Sequence, residues 1–309
     1  MDRYLLSQNL VLLLGTLCLS LALNQSLVAD DCCSEQDDSV SYGPCDCEPR
    51  GTLMQWSYGT SFSGGPDLDE PLVTDRPDFT EAAVTVGRGV TQLEFGYRFI
   101  SDDAGPTRTE SHSYPELLVR QGILAEWLEL RVVWNYAHEE TRTGLTTTRM
   151  DGADDLGLGL KIALTPQEGI LPEMALIPQM TVPTGGRSFS ANEVLPGLIW
   201  VYSWEVNDFL SIGASTQGNR AVDDVTGDGY FEIAQSVAFG YSLTDRLGAF
   251  TEWYAFFPHS ADTALPEHVF DGGFTYLIND NFQLDISAGV GLNNAADDFF
   301  VATGAVVRF

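Results

Sequence analysis

The chain has 309 residues, 30 of them Gly and 11% aromatic, with 44 acidic against 15 basic side chains and a net charge of −29. That balance excludes nucleic-acid binding, which needs cations to neutralise phosphates; the single lysine is Lys161. Mean hydropathy is −0.03, whereas a helical membrane protein carries several apolar runs of roughly 20 residues.

The one long apolar run, Leu10 to Leu23, follows Arg3. It fits a signal-peptide core better than a spanning helix, so residues 1–29 read as an export signal, with cleavage after Ala22 or Ala29. Export leaves Cys32, Cys33, Cys45 and Cys47. An even count in an exported chain suggests disulfides, with three possible pairings. A thiolate metal site is the other reading, but no His lies nearby and the spacing is not a C-x-x-C pair. Residues 30–50 are otherwise rich in Asp and Glu, a solvated leader.

Residues 51–89 contain no clear spanning strand. They read either as a periplasmic tether or as a segment inserted into a lumen. Pro77 stiffens a turn there, and Gly87 and Gly89 permit tight bends.

From residue 90 onward, about ten residues at a time alternate in polarity between polar or Gly/Pro/Asn/Asp breaks. Twelve such segments are expected: 90–100, 112–122, 126–137, 154–164, 173–182, 195–206, 209–219, 230–242, 246–257, 267–277, 282–292 and 299–309. Tilted membrane strands need about 9–11 residues, while soluble strands average nearer 5–6. Long connectors (101–111, 138–153, 183–194, 220–229, 258–266) alternate with short ones (123–125, 206–208, 243–245, 278–281), as outer loops alternate with periplasmic turns. The connector 165–172 is intermediate. The expected fold is all-β, a transmembrane up-and-down antiparallel β-barrel of about twelve strands over residues 90–309, in the bacterial outer membrane and surrounded by its lipid.

Parity gives each strand an apolar outer face and a polar inner one. In 282–292, Phe282, Leu284, Ile286, Ala288, Val290 and Leu292 point outward, and Gln283, Asp285 and Ser287 inward. Tyr97, Phe99, Trp134, Tyr136, Trp253, Phe257 and Tyr276 fit interfacial girdles. The last strand ends on Phe309, an aromatic terminus of the kind the barrel-assembly machinery reads.

The inward, pore-lining charges divide by strand. Arg98, Arg120, Arg131, Lys161 and Arg308 form a basic arc with its own acids Glu94, Glu116, Glu129 and Asp155. Glu173, Glu205, Glu232, Glu252, Asp271 and Asp285 form an acidic wall. Closure is expected to set Arg308 beside Arg98. Such facing walls orient dipolar solutes; alternatively the pairs only brace a narrow barrel.

The entry to the first strand carries Thr74-Asp75-Arg76-Pro77-Asp78-Phe-Thr-Glu81, then Val-Thr-Val86, a glycine pair, and Gln92-Leu-Glu-Phe-Gly-Tyr97. This stretch resembles the opening of the outer-membrane transporters named for the MetA pathway of phenol degradation, and the strand rhythm continues the resemblance to Phe309. The resemblance implies a monomeric channel for passive uptake of small solutes, aromatic or apolar, with no catalytic residues to carry over. The alternative is a non-transporting barrel that anchors the disulfide-tied leader.

No cofactor or energy source is implied, since no nucleotide motif is present. Asp223-Asp-Val-Thr-Gly-Asp-Gly229 has calcium-loop oxygens but Gln235 where a bidentate Glu belongs, so a structural loop is the expectation and no metal site is assigned. Ser111-His112 and Pro258-His259-Ser260 tempt a hydrolase reading. Adjacent strand residues face opposite ways, however, and no triad is identifiable. A non-enzyme is expected.

Overall fold

Alternating polarity, β-branched residues and aromatics give thirteen strands in the computed structural model, which describes Leu68 and residues 70–223 and 225–309. The signal, the acidic leader and its four cysteines lie outside the described residues. The strands are β1 (Thr91–Ala104), β2 (Thr107–Gly122), β3 (Leu128–Thr143), β4 (Thr146–Ala153), β5 (Leu156–Thr165), β6 (Glu173–Val182), β7 (Leu195–Asn207), β8 (Leu210–Val222), β9 (Gly229–Ser242), β10 (Leu247–His259), β11 (Glu267–Asn279), β12 (Phe282–Gly291) and β13 (Phe299–Arg308).

All pairings are antiparallel; they join chain neighbours except that β5 pairs with β3 rather than β4, and β13 returns to β1, so the sheet closes. The ring has twelve staves. β4 is not one of them: it pairs with the outer half of β3, Tyr136–Thr143, while β5 takes over against the inner half, Leu128–Val133.

Two connectors expected as loops are strand instead. Residues 101–111 continue β1 and β2 as a hairpin turning at Gly105 (φ 68°), and 138–153 form the β3–β4 hairpin turning at Gly144 (φ 60°). Polar residues on both faces erase the alternation there. The threonines at 107, 109, 141, 143 and 146–148 still favour extended backbone.

The polarity inversion of a membrane barrel is plainest in β12. Leu284 is 42% and Ile286 57% exposed on the lipid side, while Gln283, Asp285 and Ser287 between them are buried. At the seam, the Thr91 and Phe309 amides each donate to the other's carbonyl at 2.9 Å.

The register corrects one expectation. Arg308 stands opposite Gln92, and Arg98 stands opposite Ala302. Antiparallel closure sets the end of β13 against the start of β1, so the two arginines lie at different depths.

On the outer side, the Asp223 carboxylate accepts from the amides of Val225, Thr226, Thr263 and Ala264 and from the Thr263 hydroxyl, at 2.7–3.2 Å. The Thr263 hydroxyl and amide hold its carboxyl well below the ordinary range. These oxygens tie two outer loops together, which is the structural reading of the 223–229 loop.

Candidate functional site

The lumen is not left to the wall residues alone. Residues 72–90 run inside the barrel, and their contacts reach around the inner face.

On the basic side the meeting point is Asp75. Lys161 Nζ donates to both of its oxygens at 2.8 Å, Arg131 Nη1 donates to Oδ2, and Arg120 Nε lies 3.3 Å from Oδ2. The three cations come from neighbouring staves: Arg120 faces Arg131 in register, and Lys161 faces Glu129. Like charges so placed repel unless acids intervene. Glu129 accepts from Arg120 at 2.9 and 3.0 Å, Glu94 accepts from Arg120 at 3.2 Å, and Glu81 meets Arg131 at 2.9 Å.

The same groups hold the backbone of the inserted segment. Arg120 donates to the carbonyls of Val73 (3.1 Å) and Val84 (2.8 Å), and Lys161 to that of Ala82 (2.8 Å). Glu94 accepts from the Asp75 amide and Glu129 from the Val86 amide. Arg120, Lys161, Glu94 and Glu129 are fully buried. Charges this deep persist only when paired and hydrogen-bonded, and every one of these is.

Across the lumen the acidic wall is engaged in its own way. Glu252 accepts from the amides of Phe79 (2.6 Å) and Thr80 (2.7 Å) and from the Thr80 hydroxyl, which also meets Ser236 at 2.6 Å. The Phe79 ring stacks on Tyr254 at 4.5 Å and meets Phe256 edge-on at 5.4 Å. Arg76 reaches Glu116 at 3.1 Å and Asp285 at 3.4 Å. It lies over the cross-strand pair Gly96 and Gly304, where an added Cβ would come within 2.4 and 2.5 Å of its guanidinium. Only glycine leaves room for that approach.

The third contact is dry. Ala83 packs among Ala175, Ile177, Ile199 and Val201 on β6 and β7, with no ion pair among them.

The remaining sequence-derived candidates are dispersed. Arg98 pairs with Glu116 at 3.3 Å and lies 4.8 Å over the Phe300 ring. Arg308 donates to the carbonyls of Leu68 and Glu70 and to Asn281, at the entry of the segment. Asp271 is buried opposite Glu252, and one of its oxygens has no partner. Glu232 accepts from Tyr230 at 3.3 Å. Glu173 is half-buried and Glu205 exposed, both toward the end of the short turns. In the entry motif, Thr74 donates to the Arg76 carbonyl and accepts from Gln283, Pro77 is buried and Asp78 half-buried. The expected field between a basic and an acidic wall is therefore largely cancelled. The basic arc faces Asp75 and Glu81, and Asp285 faces Arg76.

Sequence reasoning missed Phe79, Thr80 and Ala83 as contact residues, and the apolar inner positions of β6 and β7. A signal existed: Met174–Pro178 and Leu198–Tyr202 are apolar or aromatic at both parities. Such continuous runs mark strands covered on both faces. His112 points outward and shares a 2.7 Å hydrogen bond with the Tyr97 hydroxyl; among the described residues no hydrogen bond joins His112 or His259 to a serine.

Comparison with known proteins agrees with this architecture. A family model described as "Putative MetA-pathway of phenol degradation" matches residues 74–309. No curated protein matches significantly by sequence. Among solved structures, the COG4313 outer membrane channel from Pseudomonas putida F1 is similar at TM-score 0.59 and 14% identity, over 75% of this chain and 99% of that one. The transport unit of the autotransporter AIDA-I from Escherichia coli scores 0.48 at 8% identity, over 71% and 89%. The CymD monoaromatic hydrocarbon channel scores 0.40 at 11% identity, over 71% and 87%. At 14% identity the likeness to the Pseudomonas putida channel is one of fold, a closed β-barrel.

Proposed function

The chain belongs to the family described as the MetA pathway of phenol degradation, and from that premise we propose a channel for passive uptake of small aromatic or apolar solutes, held shut by its own residues 72–90. The observation that carries this reading is the reach of that segment. It bonds to β1, β2, β3, β5, β9, β10 and β12 and packs on β6 and β7. A segment so placed occupies the lumen cross-section, and its removal leaves a polar, charged inner wall around a water-filled path. Phe309, half-exposed beside the seam, is the element we assign to recognition by the assembly machinery. The reading is of a channel and not of an enzyme.

The test is solute flux into proteoliposomes holding the full chain. Measured as the gain over empty vesicles, phenol flux is expected to exceed that of glycerol, a polyol of similar mass, and both gains should be small for the parent and rise when Asp75→Asn loosens the segment. Fluxes equal to those of empty vesicles for every solute, under conditions that displace the segment, would remove the channel reading.

A further inference from the structure

Where the segment meets the acidic wall, three carboxylates gather without a cation. Glu252 accepts from the amides of Phe79 and Thr80, and Asp78 is the residue just before them. Asp271 stands directly opposite Glu252 in the β10–β11 ladder. Directly opposed residues have Cβ atoms about 4.5–5.5 Å apart, where like charges destabilise a sheet. Among the described residues no ion pair joins Asp78, Glu252 or Asp271 to a cation. Arg76 is taken by Glu116 and Asp285, and Arg98 by Glu116 at 3.3 Å.

Asp271 is also short of hydrogen bonds. It is 3% exposed, and one of its oxygens has no donor. On β12 the Ser287 hydroxyl, likewise 3% exposed and without a partner, lies diagonally across from it, since Asp271 pairs with Gly289 and Gly273 with Ser287. Buried polar groups are ordinarily satisfied, and carboxylates that share a site without a cation cannot all stay ionised.

Asp78 brings the third acid from the segment. Desolvation inside the lumen, and next the charges of Glu252 and Asp271, push its carboxyl well above the ordinary range. The other charged or titratable groups around the contact are Asp75 and Arg76 on the segment, Arg98 on β1, Glu116 on β2, Tyr254 on β10, Asp285 on β12 and Asp297 before β13. From β9 it receives only the Ser236 hydroxyl, on Thr80.

We propose that Asp78 is a proton-operated latch of the segment. Protonated, it docks beside Glu252 and Asp271 without repulsion; ionised, it is driven from them and the segment leaves the lumen. Docked Asp78 holds its proton more tightly than Asp78 released into water. Docking is therefore strongest below the ordinary carboxylate range, about pH 4, and weakens as pH rises towards the docked value. One linked proton changes the docking equilibrium by at most about tenfold per pH unit. The proposal rests on residues 72–90 closing the channel and adds what controls them.

Open probability of the full chain in planar bilayers tests it. From about pH 5 to about pH 8 the parent should open more often, by up to about tenfold per unit. Asp78→Asn, a neutral isostere of the protonated acid, should lose that dependence and stay as closed at the upper pH as the parent is at the lower. Asp271→Asn removes one repelling charge, so its rise should be smaller and level off at a lower pH. The chain lacking residues 68–89 should conduct alike throughout. A parent without pH dependence, or an Asp78→Asn variant with the parent's dependence, overturns the latch and leaves the channel standing. No conductance at any pH, from the shortened chain as well, overturns the channel and the latch with it. Heat-modified gel mobility of both variants should match the parent. If Asp78→Asn fails to fold, Asp271→Asn decides, and a rise equal to the parent's overturns the latch.

Discussion

Replacing Asp75 by asparagine is expected to open the barrel. Asp75 is the close anion of Lys161, whose next carboxylate, Glu81, is 4.0 Å away. It also receives Arg131 and Arg120. Removing one partner of a buried charge network costs about 3–5 kcal/mol, because the remaining charge stays desolvated. Here the cost falls mainly on the docked state. Once the segment leaves, Lys161 and Arg131 face water and keep Glu129 beside them. A penalty of that size shifts the docking equilibrium by roughly 100- to 5,000-fold. Planar-bilayer recordings check it: the variant should show long open periods where the parent shows rare ones. A variant as closed as the parent would mean that Asp75 does not hold the segment.

The second large effect concerns the wall. Arg120 is fully buried and joins Glu94, Glu129, Asp75 and two carbonyls of the segment. Arg120→Leu keeps the bulk but leaves two buried wall carboxylates, Glu94 and Glu129, without their principal cation. A loss of about 3–5 kcal/mol is expected, read as a lower temperature for the heat-modified shift on gels. Arg98→Ala should change little, since Arg98 is partly exposed and its pair with Glu116 lies in a wetter part of the lumen. Because Arg120 and Asp75 share one network, the double variant should fall short of the sum of the single effects. Equal effects at Arg98 and Arg120 would place the barrel's stability elsewhere.

Much of the barrel was legible because alternation of period two is strong wherever one face meets lipid. Leu284, Ile286 and Ala288 against Gln283, Asp285 and Ser287 decide β12 without help. The outer hairpins were not legible, since Thr107–Ser111 and Thr141–Thr148 carry polar groups on both faces and lose the signal. The inward charges were legible as charges, but not in what they face. Parity places Arg120, Arg131 and Lys161 inside; it contains nothing about a carboxylate that arrives from 86 residues earlier in the chain, as Asp75 does for Lys161. The depth of Arg308 escapes parity for a similar reason, because only the antiparallel register sets which residues of β13 and β1 stand opposite one another. Ala83 is the hardest case. An alanine outside any strand has no pattern, and only the two-sided apolar runs of β6 and β7 hint that something covers them.

The most direct measurement of the central claim compares single-channel conductance of the full chain with that of a chain lacking residues 68–89. Those residues contribute no stave to the barrel, so the shortened chain should still insert. A segment that closes the lumen predicts a mostly silent full chain and a persistent, large, ohmic conductance after its removal. The same small conductance from both chains would contradict it.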